Sequence, residues 1–194
     1  MTVGVLAIQG AYHKHQQVLT KLGVDTLLIK HPEQLKSVDA LIIPGGESTT
    51  MTKVLQSEKW SDTIEMYARE HPVFGTCAGA ILLSNKVDSA KVHPWNIIDM
   101  TVSRNAFGRQ IESFLADVDW NGFGEGGKIP AVFIRAPRIT DVGDQVEILG
   151  RYDGEPVLVR QGNALAATFH PELTDEIAVH RYFIDEICRK AQAA

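Results

Sequence analysis

The sequence predicts an α/β fold, a three-layer sandwich built around a mostly parallel sheet that carries antiparallel additions. Short, nearly continuous apolar runs at 3–8 and 40–43 have the profile of strands that are buried on both faces. Segments with helical spacing separate such runs in the first half of the chain. Strands that alternate with helices form right-handed βαβ units, so this half should form a parallel sheet with helices on both faces.

The first half of the chain supplies the predicted parallel strands. Gly23 ends the first helix, Pro32 interrupts the chain after the second strand, and Trp60, Ile64 and Tyr67 recur at helical spacing. The predicted elements are strands at 3–8, 26–29, 40–43 and 73–74, and helices at 12–22, shortly after Pro32, and at 52–69. Ligands of parallel sheets bind at the carboxyl ends of the strands, so the loops after the third and fourth strands should share one edge.

The second half alternates less regularly, which predicts antiparallel strands added to the parallel sheet. A glycine-rich turn is expected at 121–127, and a last helix should run from Thr174, as its N-cap, to about Lys190. Its apolar stripe comprises Ile177, Phe183, Ile184 and Ile187. The strands predicted in this half are 97–102, 111–118, 131–134, 146–149, 157–159 and 165–169.

Composition limits the classes of protein that the chain can belong to. Its 194 residues, of which 44% are hydrophobic, suit one globular domain spanning 1–194. A net charge of -5 without a lysine or arginine cluster argues against nucleic-acid binding. The sequence shows no signal peptide and no apolar run of membrane-spanning length, and its two cysteines fit a reducing compartment. We therefore expect a cytoplasmic protein that binds neither nucleic acid nor membrane.

A candidate nucleophile lies at Cys77. Residues 75–79 read Gly-Thr-Cys-Ala-Gly between a short apolar run and a helix-forming segment, which is the cysteine version of the nucleophile elbow. Small flanking residues allow the tight turn, and the N–H groups that begin the next helix would favour a thiolate and could stabilise an oxyanion. Taken alone, the pattern also fits a structural cysteine buried in a βα turn.

The segment that ends the 165–169 strand offers a base for that nucleophile. A cysteine nucleophile needs a base to accept its proton and a carboxylate to orient the base. His170 and Glu172 are two residues apart, and on an extended backbone stiffened by Pro171 their side chains would lie on the same side. A histidine by itself is more often structural, but together with an elbow cysteine this pair predicts a Cys77, His170 and Glu172 triad.

The loop after the third strand is the predicted oxyanion site. Gly45 and Gly46 free backbone N–H groups to face the carboxyl edge of the sheet, and one of these N–H groups, with that of Ala78, would form an oxyanion hole. The same loop also fits a plain βα turn with Ser48 as the helix N-cap, and the two interpretations are compatible. The loop is too short for a nucleotide-binding P-loop.

Other polar residues give weaker predictions. Arg104 and Arg135 each follow a strand and could bind a substrate carboxylate with a bidentate fork, although an ordinary surface ion pair is the commoner role of an arginine. His13 and His15 diverge on their helix, so they make a poor metal pair, and no metal site is predicted. Cys188 lies among the apolar residues of the last helix and is expected to be a core thiol.

Taken together, these motifs resemble those of the class I (triad) glutamine amidotransferases, which have a flavodoxin-like α/β fold. The elbow and the His-Pro-Glu tripeptide are the motifs of that superfamily. Three further segments, at 45–50, 104–110 and 133–137, are most similar to the family of glutaminase subunits of pyridoxal 5′-phosphate synthase. The similarity covers almost the whole chain, in segments 4–10, 41–50, 75–79, 104–110, 132–137 and 168–173.

This resemblance implies that the chain hydrolyses L-glutamine to L-glutamate and ammonia without a cofactor. Cys77 would attack the side-chain amide to form a γ-glutamyl thioester, His170 would carry the proton, and Glu172 would orient His170. Matching motif positions imply that the glutamine site is lined by Gly46, Glu47, Ser48, Arg104, Ile134 and Arg135.

The resemblance also implies a partner. A (β/α)₈-barrel synthase subunit would receive the ammonia, activate the glutaminase and assemble with it as a ring of twelve plus twelve subunits. A flip of the Gly45–Gly46 peptide on docking is a hypothesis that the two glycines permit. Two features depart from the family pattern: Ala11 stands where an acidic residue is common, and the 121–127 loop is unusually rich in glycine.

Three alternatives remain open from the sequence. The chain could be the glutaminase of a different synthase, such as one that makes imidazole-glycerol phosphate. It could be a hydrolase of peptides or other amides, which would act without a partner. It could also be a binding module that keeps the fold without catalysis, although all three triad residues are present.

Overall fold

The computed structural model describes residues 1–57, 60–104, 113–123 and 126–193. Its strands are β1 (Thr2–Leu6), β2 (Asp25–Ile29), β3 (Ala40–Ile43), β4 (Val73–Thr76), β5 (Ser84–Val87), β6 (Ile98–Ser103), β7 (Ser113–Trp120), β8 (Gly127–Ile134), β9 (Arg138–Val142), β10 (Glu147–Tyr152), β11 (Glu155–Gln161) and β12 (Ala164–Ala167). Its α-helices are α1 (Tyr12–Lys21), α2 (Ser48–Ser57), α3 (Trp60–Glu70), α4 (Ala78–Leu83), α5 (Ala178–Tyr182) and α6 (Arg189–Ala193). 3₁₀-helices occupy Pro32–Ser37 and Pro171–Leu173, and a π-helical segment, Phe183–Cys188, joins α5 to α6.

A nine-stranded sheet, in the order β2-β1-β3-β4-β12-β11-β10-β7-β8, forms the middle layer. The pairs among β2, β1, β3, β4 and β12 are parallel, whereas β11, β10, β7 and β8 continue the sheet with antiparallel pairs. This arrangement confirms the predicted parallel sheet with antiparallel additions. The carboxyl ends of β1, β3, β4 and β12 therefore meet at one edge.

Both faces of the parallel strands are covered. Along β3, Leu41 and Ile43 pack into the core on the face of α2, α3 and α4, while Ala40 and Ile42 pack into the core on the face of α1 and α5. Successive side chains of a strand point to opposite faces, so a continuously apolar strand requires two cores. The predicted three-layer sandwich is confirmed, and this rigid sheet holds the loops at its carboxyl edge in place.

The predicted strands of the second half are present with shifted bounds, but two strands were missed. β5 pairs in parallel with β6, and β6 pairs antiparallel with β9, in a separate three-stranded sheet. β5 reads Ser-Asn-Lys-Val and β9 reads Arg-Ile-Thr-Asp-Val, and neither contains an apolar run that would distinguish it from a loop. The first two residues of the predicted 111–118 strand, and two residues of the 121–127 loop, lie outside the described residues.

The helix boundaries need two corrections. The predicted 52–69 helix is wrong at its start, because α2 begins at Ser48, and the described helical residues form two segments, α2 and α3. Thr174 is not the N-cap of the last helix, since α5 begins at Ala178 and the Glu176 carboxylate accepts the Ala178 N–H at 2.8 Å. Three residues of the predicted apolar stripe, Phe183, Ile184 and Ile187, are buried, whereas Ile177 precedes α5 and is only half-buried.

Candidate active site

Cys77 occupies a strained turn between β4 and α4. Its φ of 48° and ψ of -103° are unusual for a residue with a side chain, and strain of this kind clusters at functional sites. The flanking glycines are required, because a Cβ at Gly75 would lie 2.6 Å from the Gly79 carbonyl carbon, and one at Gly79 would lie 2.1 Å from the Ile43 oxygen. The Cys77 N–H donates to the Ala167 carbonyl at 2.8 Å, which ties the elbow to β12. This geometry is that of a nucleophile elbow.

β12 runs parallel to β4 and ends beside the elbow, which brings His170 and Glu172 to Cys77. His170 Nδ1 lies 2.8 Å from Glu172 Oε1, and the Glu172 side chain is fully buried. The two side chains do not meet along an extended backbone, as the sequence suggested, because Glu172 lies in the 3₁₀ turn Pro171–Leu173. The turn achieves the same pairing by folding Glu172 back beneath the imidazole.

The charges of this pair support each other. Burial disfavours the charged imidazole of His170, but hydrogen bonds to Cys77 and Glu172 and the charge of Glu172 outweigh it and raise the pKa of His170 to about 10. Burial alone would raise the pKa of Glu172, yet His15 and His170 lower it below its usual value. The pair is therefore an imidazolium hydrogen-bonded to a carboxylate, and the imidazolium also contacts the Cys77 sulfur.

The glycine loop after β3 lies against this pair. A Cβ at Gly45 would lie 2.4 Å from His170 Cε1 and 3.2 Å from Cys77 Cβ, so only glycine allows the ring to approach this closely. The Gly45 carbonyl oxygen in turn contacts Gly10, where φ is 81° and a Cβ would lie 1.8 Å from that oxygen. Ala78 begins α4, so its N–H has no acceptor within the helix. The loop and the elbow thus bring backbone groups of Gly45, Gly46 and Ala78 to the nucleophile.

Glu47 caps the helix that leaves this loop. Its carboxylate accepts the N–H groups of Thr49 and Thr50 at 3.0 and 2.7 Å, and the Thr50 hydroxyl at 2.8 Å. Burial raises the pKa of this carboxyl, but these hydrogen bonds together outweigh it and lower the pKa of Glu47 to about 2. The prediction that Ser48 is the N-cap is therefore wrong: Ser48 is the first helical residue, and Glu47 supplies the capping group.

Arg104 reaches the pocket from the end of β6. Its guanidinium donates to Ser89 Oγ at 3.1 Å and to Glu47 Oε1 at 3.4 Å, and its backbone N–H donates to Asp88 Oδ1 at 2.9 Å. These contacts hold the cation beside Glu47 at the pocket wall. The remainder of the Arg104 motif, residues 105–110, lies outside the described residues.

Ile134 and Arg135 arrive from the far end of the sheet. The His170 N–H donates to the Val132 carbonyl at 2.8 Å, which joins β8 to the triad segment. As a result the Ile134 carbonyl lies 3.9 Å from Cys77 Sγ. Arg135 is exposed and has a φ of 42°, so this part of the pocket also stores backbone strain.

These residues surround a pocket of about 290 Å³. Its lining includes the predicted residues Gly45, Gly46, Glu47, Ser48, Cys77, Arg104, Ile134, Arg135 and His170. Ala78 and Glu172 were also predicted for the site and lie outside the lining, in the elbow helix and behind His170 respectively. Sequence reasoning missed five residues that also line the pocket: Gly10, Ala11, Ile81, Pro137 and Leu173.

The family can be assigned from the sequence as a whole. The sequence model of the SNO glutamine amidotransferase family matches residues 5–189. The chain belongs to this family. Membership makes it a glutamine amidotransferase and confirms the resemblance inferred from the motifs.

Named relatives of this SNO family member cover nearly its whole length. The "Pyridoxal 5'-phosphate synthase subunit PdxT" of Thermotoga sp. (strain RQ2) is 49% identical over 188 residues, 96% of this chain and 100% of the relative. The protein of the same name from Pelotomaculum thermopropionicum is 47% identical over 193 residues, 99% of this chain and 98% of the relative.

Solved structures agree with this assignment. A crystal structure of a glutamine amidotransferase superposes with a TM-score of 0.89 at 43% identity and covers 96% of this chain and 98% of its own. The structure of PurLQS from Thermotoga maritima has a TM-score of 0.72 at 17% identity, covering 95% of this chain and 98% of that one, and shares the fold.

Two functional candidates behind the triad escaped the sequence analysis. His15 and His180 are both 0% exposed, and His15 lies within reach of Glu172. The pattern that could have revealed them is helical spacing: His15 precedes Val18 and Leu19 by three and four residues on the buried face of α1.

Metal-binding clusters and membrane-spanning helices are both absent from the described ranges. No three or more His, Cys, Asp or Glu side chains of those ranges are grouped so that they could hold a metal ion. Among the same residues, no helix has both the length and the apolar character that crossing a membrane requires.

Proposed function

We propose that this SNO family member, acting as a single domain of residues 1–194, hydrolyses L-glutamine through Cys77, His170 and Glu172 and delivers the ammonia to a pyridoxal 5′-phosphate synthase subunit. The observation that carries the proposal is the position of His170. Its imidazole hydrogen-bonds Glu172 at 2.8 Å and also interacts with the Cys77 thiol, which lies in the strained elbow. A cysteine at an elbow, a base and an orienting carboxylate are the parts that acyl transfer requires.

In the first half-reaction, the Cys77 sulfur attacks the side-chain amide carbon of glutamine. A proton on His170 passes to the amide nitrogen, and the carbon–nitrogen bond breaks. Ammonia is released, and the γ-glutamyl group remains on Cys77 as a thioester. The raised pKa of His170 supports this assignment, because the imidazole holds a proton at neutral pH and sits beside the sulfur.

The tetrahedral oxyanion that precedes each bond cleavage needs backbone donors. The Ala78 N–H and an N–H of the Gly45–Gly46 loop are the groups we assign to this role. Close contact of Gly45 with both His170 and Cys77 supports the assignment, since it places the loop beside the reacting carbon.

In the second half-reaction, His170 takes a proton from water, and the hydroxide adds to the thioester carbon. The carbon–sulfur bond then breaks, glutamate leaves, and Cys77 regains its starting state. Glu172 keeps Nδ1 of His170 protonated in both halves, so that the other ring nitrogen alone exchanges protons with the reactants.

The rest of the pocket would bind the amino-acid end of glutamine. Arg104, fixed by Ser89 and Glu47, is the cation we assign to the substrate α-carboxylate, and the negative charge of Glu47 at the pocket wall favours the α-ammonium group. Gly46, Ser48, Ile134 and Arg135 complete the glutamine site through the pocket wall. The lining carries both cationic and anionic side chains, which suits a zwitterionic substrate.

The partner follows from the relatives, which carry the name pyridoxal 5′-phosphate synthase subunit. We propose a (β/α)₈-barrel synthase that docks over the pocket mouth, receives ammonia shielded from water, and assembles as twelve plus twelve subunits. Leu173 supports a dock at this place, because it lines the pocket and its 37% exposed side chain is free to pack against a partner.

The test is glutamate release from L-glutamine by the chain alone and with its cognate synthase. Activity that rises with the synthase supports substrate and partner together, and Cys77→Ala should abolish it without unfolding the chain. An electrophilic glutamine analogue should label Cys77 and spare Cys188, whose thiol is buried in the core with its pKa raised to about 12. Wild-type activity in Cys77→Ala would contradict the proposal.

The same assay separates the alternatives. Activation by an imidazole-glycerol-phosphate synthase instead of the pyridoxal phosphate enzyme would change the partner and keep the chemistry. Turnover of other amides without any partner would indicate a free amidase. Absence of both turnover and Cys77 labelling would indicate a binding module.

A further inference from the structure

A buried chain of polar groups continues beyond the triad on the side of Glu172 that faces away from the pocket. His15, from α1, places Nε2 3.5 Å from Glu172 Oε2 and 3.4 Å from Thr76 Oγ1. Its other ring nitrogen, Nδ1, lies 2.9 Å from Nε2 of His180, from α5. Neither histidine has a role in the reaction as described above.

The second carboxylate oxygen of Glu172 needs a partner. Oε1 is occupied by His170, whereas Oε2 is buried and lacks a hydrogen bond of standard geometry within the described part of the chain. A hydrogen on His15 Nε2, which lies 3.5 Å from Oε2, could serve it. A buried carboxylate oxygen without any donor is costly, so a proton on that nitrogen is strongly favoured.

The contacts decide the tautomers of both histidines. If His15 carried its proton on Nδ1, the bare Nε2 would face a carboxylate oxygen, and two lone pairs would repel each other. With the proton on Nε2, His15 donates towards Glu172, and its Nδ1 accepts from Nε2–H of His180. The remaining atom, His180 Nδ1, is then a bare acceptor, which agrees with its burial without a partner in the described structure.

We propose that His15, oriented by His180, is a positioning residue of the active site that presents Nε2–H to Glu172 and holds the carboxylate towards His170. This inference rests on the proposed glutaminase function. His15 touches neither substrate nor sulfur, and it acts only through Glu172. The chain of donors then runs in one direction, from His180 to His15 to Glu172, while His170 donates to the other carboxylate oxygen.

Such an arrangement requires both histidines to stay neutral. Burial is the main cause that lowers the pKa of His15; the charge of His170 lowers it further, and the charge of Glu172 opposes the shift. Burial, assisted by the charge of His15, lowers the pKa of His180 to about 3. The titratable groups that face His15 are Glu172, His170 and His180, and its other neighbours are Thr76 and the edge-on ring of Phe74. Two neutral dipoles therefore support the Glu172 anion without competing with the His170 cation.

A pair of amide substitutions separates the two ring nitrogens of His15. Gln places its terminal amide near the position of Nε2, so His15→Gln can still donate to Glu172, whereas the shorter side chain of His15→Asn reaches only the position of Nδ1. The control is His13→Asn, because His13 is exposed and lies two residues earlier on the same helix.

We expect His15→Asn to lower kcat for glutamate release roughly 10- to 100-fold in the complex with the synthase, with little change in KM. The acid limb of its pH profile should move to higher pH, because Glu172 loses a group that favours its ionised form. His15→Gln should recover most of the rate and of the profile, and His13→Asn should match the wild type. Wild-type kcat and pH profile in His15→Asn, or equal losses in Asn and Gln with an unchanged profile, would overturn the proposal.

A measurement on the unmodified chain covers the case in which His15→Asn fails to fold. Nitrogen-15 chemical shifts of the imidazoles distinguish the tautomers, and we expect both His15 and His180 to carry their protons on Nε2. An Nδ1–H tautomer of His15 would refute the proposal. Failure of the proposed function gives a different result. The wild-type chain with its synthase would then release no glutamate, regardless of which tautomers His15 and His180 adopt.

Discussion

Gly45 faces the ring of His170 so closely that a Cβ at Gly45 would lie 2.4 Å from Cε1. The same Cβ would lie 3.2 Å from the Cβ of Cys77, so Gly45 packs directly against both His170 and Cys77. His170 is held from its other side by Glu172, at 2.8 Å. The imidazole therefore has no room to retreat without breaking that hydrogen bond.

Substituting Gly45 by alanine should therefore damage catalysis more than stability. We expect Gly45→Ala to reduce glutamate release by roughly 100-fold or more, because small displacements of a catalytic group are this costly. The loss of stability should be about 1–3 kcal/mol, the usual range for overpacking. Gly127→Ala is the matched control, since a Cβ there would have no neighbour within 4 Å. Steady-state kinetics and thermal unfolding of both variants test this expectation, and a fully active Gly45→Ala would contradict it.

Gly10 offers a second test, of the loop rather than of the histidine. A Cβ at Gly10 would lie 1.8 Å from the Gly45 carbonyl oxygen, so Gly10→Ala should displace the Gly45–Gly46 peptide. Gly154→Ala isolates this clash, because Gly154 has a φ of 78°, close to the 81° of Gly10, and open space around it. Both variants should lose about 1–2 kcal/mol from the left-handed backbone, but only Gly10→Ala should lose activity. Similar kinetics in the two variants would show that the contact does not matter.

Arg104 should affect substrate binding more than turnover. Its guanidinium is anchored by Ser89 and Glu47, away from the sulfur, so Arg104→Ala should raise KM for glutamine roughly 10- to 100-fold with a smaller change in kcat. Arg104→Lys should recover little, because an ammonium group lacks the bidentate fork. Arg151→Ala is the control, since Arg151 bonds the Gly154 carbonyl outside the pocket. Unchanged KM in Arg104→Ala would remove this residue from the glutamine site.

The buried histidines predict how stability depends on pH. The pKa of His180 is about 3 in the folded chain and 6.5 as its ordinary value, so below pH 6.5 the unfolded chain binds a proton that the folded chain excludes. Stability should then fall as pH drops, by up to about 1.4 kcal/mol per pH unit. His170 has the opposite sign: its pKa of about 10 gives stability that is fully present below pH 6.5 and lost as pH rises towards 10.

We therefore expect maximal stability near pH 6.5, measured as the free energy of unfolding in denaturant across the pH range. His180→Gln should flatten the acid side of this profile, because it removes the proton-excluding group and keeps a donor for His15 Nδ1. His13→Gln, on the exposed face of α1, should leave the profile unchanged. Stability that stays constant between pH 6.5 and pH 5 would contradict the expectation.

Much of this protein could be predicted from local patterns in the sequence. Buried strands such as β1 and β3 are recognisable because short, continuous apolar runs are typical of strands covered on both faces. The elbow at Cys77 is recognisable because tight turns require small flanking residues. The His-Pro-Glu tripeptide pointed to His170 and Glu172 as a pair, and the structure joins them by a hydrogen bond of 2.8 Å. Where chemistry and spacing coincide within a few residues, the sequence is sufficient.

The contacts that the sequence could not predict join residues that are far apart in the chain. β5 and β9 are strands only because β6 lies between them, and Ile134 reaches Cys77 only because Val132 pairs with His170. One missed contact is local: Glu47, rather than Ser48, caps α2 by accepting the N–H groups of Thr49 and Thr50.

His15 shows the same limit most clearly. From the sequence it is one of two histidines on a helix that is otherwise rich in polar residues, whereas the order of the strands places it beneath Glu172 and against His180. The sequence by itself determined the fold class, the elbow at Cys77 and the pairing of His170 with Glu172, because each depends on the chemistry and periodicity of neighbouring residues. Tertiary structure alone decided which distant side chains and glycines surround them, because strand order and helix packing set those distances.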